Sequence, residues 1–411
     1  MFDNVFIRAA GLSALLAAAA AHAGPITTVP WNGYAGAATF TFDDGMPSQV
    51  STLMPALRTR KVNATMYVYN SSGWQSSKAG FVAGSKAGDE IGNHTQSHPQ
   101  NPPTDANSLN NEVVNWAKTL RAADASIEAV TFAYPYCATN SAMQNVVNQE
   151  NFIARNCSSA NPYPWSTSSE PTWMNMQSYY MSGDGNQTQA NTALDNAKSK
   201  GWITLLFHDV GGTNNNVSPN VVFALIDRAI SNNLWVATYA QAGAYWRAAF
   251  TMDKVTASSG NGPWNLKWTS PHAKMPKSVK LKVKLDAATF GSEITVSQSG
   301  TEIPKNTDGS YTIDFMKLAM DVKKGTSGVA NRAINLEGVK FRREANGLAI
   351  SGAPQARISV WTLSGTQVGL TQMDAHGAGW LALGNAASGS LVVRVAAPDG
   401  ASSALVLPPL R

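Results

Sequence analysis

The sequence predicts an α/β catalytic region followed by all-β modules. Between about residue 36 and residue 250, short β-rich runs alternate with helical stretches, the pattern of a mainly parallel sheet or barrel. Past residue 251 helical periodicity nearly vanishes, and apolar and polar residues alternate as in antiparallel β-sandwiches. The composition, 44% apolar and 14% charged over 411 residues, excludes a disordered chain and allows sizeable cores. After the N-terminal segment, no apolar run reaches the roughly 18 residues of a membrane helix.

In chain order, Ala37 to Phe42 reads as a strand ending at Asp43, and Pro47 to Arg60 as a helix with proline near its start. Asn63 to Tyr69 is a strand, Ala79 to Ala87 a helix, and Glu90 to Asn93 a short strand. Asp105 to Ala123 is a long amphipathic helix carrying Leu109, Val113, Trp116 and Leu120. Val130 to Tyr134 and Phe152 to Asn156 are strands on either side of a helix, Ser141 to Glu150. Helices over Thr188–Lys200 and Val217–Asn232 flank the apolar strand Trp202–Phe207, and Leu234 to Thr238 is the last strand. Further strands follow at Ser278–Leu285, Leu348–Ser351, Arg357–Thr362 and Ser390–Ala396. The resulting division is 1–23, 24–250, a β-rich accessory module over 251–340, and a small sandwich-like module over 341–411.

The first residues combine a short start ending in Arg8, an apolar stretch from Ala9 to Ala21, and the small-x-small triplet Ala21-His22-Ala23. This reads as a signal peptide rather than a helix of the fold, because so alanine-rich a segment would bury little area. The mature chain is therefore expected in a periplasm or outside the cell. Export permits a disulfide between the only two cysteines, Cys137 and Cys157; two buried thiols remain the alternative.

Charge follows the same boundaries. Residues 24–250 hold 12 basic and 14 acidic residues, whereas 251–340 hold 13 and 8. The basic excess could hold an acidic polymer, or could be a solvated sheet face protected at its edges by lysine. An exported chain without a basic-aromatic stripe is not expected to bind nucleic acid.

Three segments fall at the C-terminal ends of expected strands, where βα folds place their active sites. Thr41-Phe42-Asp43-Asp44-Gly45 sets two carboxylates side by side, one able to ligate a metal while the other takes a proton. His94 and His98 stand at i and i+4, which in a helical turn puts both imidazoles on one face. His208 emerges from the apolar run Leu205-Leu206-Phe207, a usual place for a general acid or base. Alone, each piece could be a turn, a polar surface or a core histidine. Together, two histidines and a carboxylate make an open three-ligand metal site, with an Asp and a His to spare for proton transfer. The remaining histidines outside the leader, His272 and His376, lie in the β modules and read as surface residues.

At this point the sequence resembles the NodB-homology polysaccharide deacetylases, carbohydrate esterase family four. The resemblance rests on TFDDG at 41–45, HTQSH at 94–98, FAYPYC at 132–137 and LFHD at 206–209, and it covers roughly residues 36–240. It implies a distorted (β/α) barrel holding one divalent metal, Zn2+ first, with Co2+, Ni2+ or Mn2+ as alternatives. By resemblance Asp44, His94 and His98 look like the metal ligands, Asp43 like the general base and His208 like the general acid. The backbone N–H of Tyr136 looks like an oxyanion donor, and Leu206 like a wall of the acetyl pocket.

Two departures stand out. Ala133 occupies the place of the arginine that in this family fixes the base, and the usual aspartate-containing fourth motif is not visible between 158 and 185. Cys137 stands where a glycine is usual, which supports a tie to Cys157. Trp74 and Trp165 could form sugar platforms or anchor loops, and Trp264, Trp268, Trp361 and Trp380 pose the same choice in the β modules; of these Trp165 is taken as a substrate contact. The expected activity is a secreted, metal-dependent deacetylation of acetylated polysaccharide or oligosaccharide, N-acetyl amino-sugar polymers favoured. An acetylxylan-type O-acetyl esterase and a catalytically impaired carbohydrate-binding protein are the alternatives.

Overall fold

The computed structural model describes residues 24–157, 159–325, 338–344, 346–363, 366–383, 389–396 and 402–409. The expected signal peptide, residues 1–23, lies outside the described residues. The chain divides into two units, one running to Lys324 and the other from Gly325 to Arg411.

The first unit opens with β1 (Ile26–Thr28) and then alternates strands and helices: β2 (Gly36–Phe42), α1 (Met54–Arg60), β3 (Thr65–Val68), α2 (Ser72–Lys86), β4 (Glu90–Asn93), α3 (Ala106–Leu109), α4 (Trp116–Ala123), β5 (Thr131–Ala133), α5 (Ser141–Glu150) and β6 (Ile153–Arg155). There follow β7 (Tyr163–Pro164), β8 (Tyr179–Tyr180), α6 (Gln187–Ala197), β9 (Gly201–Phe207), β10 (Asp209–Val210), β11 (Asn216–Val217), α7 (Pro219–Ser231), β12 (Leu234–Val236) and α8 (Tyr239–Met252). Six strands lie parallel in the order β6-β5-β4-β3-β2-β9, and β12 also pairs parallel to β2. Strands β2 and β9 are buried along their whole length. Parallel strands covered on both faces read as such near-continuous apolar runs, which is why the sequence located them.

Between β6 and β9 the wall is closed by an irregular segment. The amide of Ala154 donates to the Trp173 carbonyl (2.8 Å), the amide of Asn156 to Met176 (2.6 Å), and that of Met181 to Leu206 (2.8 Å). Tyr179 and Tyr180 pair in register with Leu205 and Leu206. The barrel is thus distorted, as expected.

The helix expected over 105–123 is present, with a π-helical turn at Asn110–Asn115 joining α3 to α4. Helix α8 lies beyond the last expected strand and carries no sequence forecast. It begins with a capping box between Thr238 and Gln241 and is buried on nearly all sides, so it has no polar face and no amphipathic stripe to read.

The rest of this unit is antiparallel: β13 (Trp264–Lys267), β14 (Lys280–Leu285), a short α9 (Ala287–Phe290), β15 (Ile294–Gln298), β16 (Thr301–Ile303), β17 (Tyr311–Asp314) and β18 (Ala319–Lys324). They form sheets ordered β13-β18-β15-β16 and β1-β14-β17. Leu281 and Val283 of β14 point inward into the same core as Ile26, Trp31, Tyr245, Trp246 and Phe250. Two of the alternating lysines are engaged with acids, Lys280 with Asp314 (3.1 Å) and Lys282 with Asp308 (3.3 Å).

The second unit contains β19 (Lys340–Glu344), β20 (Gly347–Ser351), β21 (Arg357–Thr362), β22 (Gln367–Gln372), β23 (Ala378–Ala382), β24 (Leu391–Ala396) and β25 (Ser402–Leu407). Antiparallel sheets β19-β20-β23 and β22-β21-β24-β25 enclose a core of Leu348, Ile350, Ile358, Val360, Leu391, Val393 and Val395. Of the β-module tryptophans, Trp264 and Trp268 are buried, while Trp380 is 53% exposed.

Candidate active site

Strands β2, β4 and β9 run parallel in one sheet, so the residues that follow their last positions gather at one end of the barrel. Asp43 and Asp44 follow β2, His94 follows β4 and His208 follows β9. Gln49 fastens two of these strand ends together, its Nε2 donating to the carbonyls of Asp43 (2.6 Å) and His208 (3.1 Å). Asp44 (φ 72°) and Gly45 (φ 64°) turn the chain sharply through the left-handed region.

His94 and His98 do converge, but not on a helix. Residues 94–98 form a loop in which Thr95 (φ 66°) and His98 (φ 57°) are left-handed. Asn93 Oδ1 accepts from the Thr95 amide (2.9 Å), and Thr95 Oγ1 accepts from the His98 amide (3.1 Å), which fixes the bend. The i, i+4 spacing therefore works here through a turn.

Asp44, His94 and His98 each offer a ligand atom, and the three atoms lie within 4.8 Å of one another. His98 Nε2 is 3.2 Å and His94 Nε2 3.6 Å from Asp44 Oδ1. This oxygen is buried and accepts no hydrogen bond among the described residues. Burial, then the neighbouring charge of Asp43, pushes the Asp44 carboxyl up to about 7. Burial lowers His94 to about 3, keeping its imidazole neutral. A buried, unpartnered carboxylate oxygen facing two neutral imidazoles is a donor set that fits a divalent cation.

Asp43 is buried beside this group, its Oδ2 3.8 Å from His94 Nε2. Burial alone would raise its pKa; the charge of Arg155, with the imidazoles of His94 and His208, outweighs that and holds the carboxyl below the ordinary range. Nη2 of Arg155 donates to Asp43 Oδ1. Arg155 is a residue the sequence analysis missed. It sits outside every motif, and only the pairing of β5 with β6 would have pointed to it.

His208 Nε2 is 4.0 Å from Asp44 Oδ2, while its buried Nδ1 has no hydrogen-bond partner among the described residues. Burial lowers the His208 pKa. Asp209 next to it organises the loop that follows. Its Oδ2 accepts from the amides of Thr213 (2.9 Å) and Asn214 (3.3 Å), and a Cβ on Gly212 would stand 1.9 Å from that oxygen.

These groups open onto a cavity of about 590 Å³ that Tyr69, Tyr134, Tyr136, Tyr180, Leu206, Asn214, Asn215 and the Cys137 and Cys157 pair also line. Tyr136 is 62% exposed and left-handed (φ 52°), and Leu206 is buried in the wall. Cys137 and Cys157 are disulfide-bonded, with Cα atoms 5.6 Å apart. Trp165 is elsewhere: its ring packs edge-on against Trp31 at 4.9 Å, and it does not line this cavity. Trp74 is buried against Phe81 and Trp116. The aromatic rim is instead made by tyrosines, Tyr69 and Tyr136 beside His98 (4.8 and 4.7 Å) and Tyr180 beside His208 (5.4 Å). No helix among the described residues is long and apolar enough to cross a membrane.

The family model described as polysaccharide deacetylase matches residues 33–153. No curated protein matches the chain in sequence. Similar solved structures include a family 4 carbohydrate esterase from Streptomyces lividans in complex with acetate, 19% identical over 49% of this chain and 92% of that one, with a TM-score of 0.35. A peptidoglycan N-acetylglucosamine deacetylase is 15% identical over 52% of this chain and 89% of its own, with a TM-score of 0.36. A pseudoenzyme of the same esterase family from Bacillus anthracis is 12% identical, with a TM-score of 0.35, over 50% of this chain and 65% of its own, so that just under two thirds of that protein is spanned.

Proposed function

We propose that this chain, whose residues 33–153 belong to the polysaccharide deacetylase family, is an exported metal-dependent hydrolase that removes acetyl groups from polysaccharide, N-acetyl groups of amino-sugar polymers first. The observation that carries the reading is the convergence of Asp44, His94 and His98 beside Asp43 and His208 at the mouth of one cavity. Asp44, His94 and His98 would hold the divalent ion, Zn2+ in our assignment. When bound, such an ion supplies a Lewis acid that makes water acidic near neutral pH and draws developing charge from a carbonyl oxygen.

The chain's own groups divide the remaining work. Asp43, kept ionised by its neighbours, takes a proton from the attacking water. The backbone N–H of Tyr136 supports the oxyanion. Leu206 offers the apolar wall against which an acetyl methyl fits. His208 delivers a proton to the departing nitrogen or oxygen. The exposed ring of Tyr136 and the ring of Tyr180 give flat faces for a sugar at the rim. Residues 24–250 form the catalytic region, and the disulfide accords with export.

A second substrate reading has its own support. Among the described residues Nδ1 of His208 has no hydrogen-bond partner, and burial favours the neutral form, so less of the histidine carries a proton to deliver. An alcohol leaves without much protonation where an amine does not, so O-acetyl esters are the alternative. A panel of poly-N-acetylglucosamine, chitooligosaccharides and acetylated xylan, assayed for acetate with and without added divalent metal, decides between them. No acetate from any of them under any metal overturns the enzymatic reading and favours a carbohydrate-binding protein.

A further inference from the structure

Asp43 is held by an arginine that lies outside every motif. Ala133 on β5 pairs directly with Arg155 on β6 in the parallel ladder. Directly paired residues of neighbouring strands present their side chains to the same face of a sheet. An arginine on β6 therefore points into the same barrel interior as one at position 133 would, displaced by one strand spacing. The Arg155 side chain is long enough to make up that distance, and its Nη2 reaches Asp43 Oδ1. The guanidinium is fully buried and lies over the Tyr67 ring, 5.0 Å from its centroid.

The strand end that carries Arg155 is pinned on both sides. The amides of Ala154 and Asn156 are bonded to the carbonyls of Trp173 and Met176. Cys157, two residues on, is bonded to Cys137, the neighbour of Tyr136. One short stretch thus links the grip on Asp43 to the turn at the cavity wall. With Oδ1 taken by Arg155, it is Oδ2 of Asp43 that faces the imidazole of His94, at 3.8 Å.

We infer that Arg155 is the positioning residue of Asp43, supplying from β6 the grip that position 133 lacks and leaving Oδ2 free to accept the proton. The inference rests on Asp43 acting as the base. The competing description is a structural ion pair, in which a buried guanidinium is kept only because removing it strands a charge. The two differ in what a relocated arginine does.

The test uses the full chain, loaded with Zn2+, and three variants: Arg155→Ala, Arg155→Lys, and Ala133→Arg combined with Arg155→Ala. In Arg155→Ala, kcat is expected to fall about 100-fold, the scale on which a misplaced catalytic group loses rate. KM and bound zinc per chain should stay within about twofold, because a lost transition-state interaction leaves ground-state binding alone. The double variant, with the arginine moved to β5, is expected to regain about tenfold in kcat. A folded, zinc-loaded Arg155→Ala or double variant with kcat within about threefold of the parent in the former, or no recovery in the latter, overturns the inference. Loss of zinc in parallel with activity also overturns it. If Arg155→Ala does not fold, Arg155→Lys, which keeps the buried charge but not the fork, is read by the same kcat and zinc criteria. A parent chain that releases no acetate under any divalent metal sinks the functional reading and this one with it, whereas an active parent with an unaffected Arg155→Ala sinks only this one.

Discussion

Nδ1 of His94 lies 2.8 Å from the backbone oxygen of Ala133. Donation to that carbonyl fixes the tautomer and leaves Nε2 as the lone-pair atom turned toward Asp44. One strand end thereby orients an imidazole carried at the end of its neighbour. His94→Ala is expected to release the bound metal and with it acetate production. Metal content of the purified variant, measured by atomic emission, checks this; a full complement of metal together with normal turnover would contradict the assignment.

Asp43→Asn separates proton transfer from metal binding. The amide keeps the shape but cannot accept a proton from water. Metal content should be unchanged, while kcat falls by about 10²–10⁴, the usual contribution of general acid–base catalysis. Equal loss of metal would mean that Asp43 is a ligand and not the base.

His208→Ala should discriminate between leaving groups. An amine must be protonated to depart, so N-acetyl hydrolysis is expected to drop by about 10² or more, and O-acetyl ester hydrolysis by distinctly less. Parallel assays on an acetamide and an ester substrate check the difference; equal losses would place His208 in a different role.

The Cys137 to Cys157 bridge closes a loop of 20 positions. A loop of that size stabilises a fold by about 3 kcal/mol in the chain-entropy account. Reduction, or the paired Cys137→Ser and Cys157→Ser change, is expected to lower unfolding free energy by that order in denaturant titrations. Activity should fall before unfolding, because both cysteines line the cavity.

Acid stability should depend on Glu150. Burial would raise its pKa, but hydrogen bonds from Arg121 (2.9 Å) and Lys274 (3.2 Å) outweigh this and leave it below the ordinary 4.5. A carboxyl with a lowered folded-state pKa contributes stability above its unfolded value, and that contribution is lost as pH falls through the folded value. Glu150→Gln should therefore destabilise the protein at pH 7 and flatten the decline of melting temperature below about pH 4.5. An unchanged acid limb in differential scanning calorimetry would count against it.

Much of this fold was legible because its strands are short and apolar and its helices striped. Ser141–Glu150 and Glu90–Asn93 were placed to the residue. Helix α8 was not, because burial on all sides erases the periodicity by which helices are recognised. At the site, the candidate ligands stood out as adjacent carboxylates and spaced histidines, and the structure brings Asp44, His94 and His98 together. Arg155 did not stand out, since its place depends on which strand lies next to which, a property of the ladder and not of the local string. The tyrosine rim was visible only at Tyr136, expected for its backbone N–H, while Tyr69 and Tyr180 were hidden for the same reason. Tyr69, Tyr136 and Tyr180 come from three separate segments, while Trp165, the more conspicuous aromatic, went into the packing around Trp31.

The shared core around α8 has a practical consequence for anyone dissecting the chain. Tyr245 Oη donates to the Val29 carbonyl (2.6 Å), β1 pairs with β14, and Trp246 and Phe250 belong to the same apolar cluster as Leu281 and Val283. A truncation placed just after Met252 would leave β1 without its ladder and lay these rings bare to water. At about 1.5–3 kcal/mol for each large side chain re-exposed, a handful of them matches the entire margin by which most domains stay folded. Expression trials should accordingly keep the residues through Lys324 with the barrel, and treat everything between as one cooperative block that melts together.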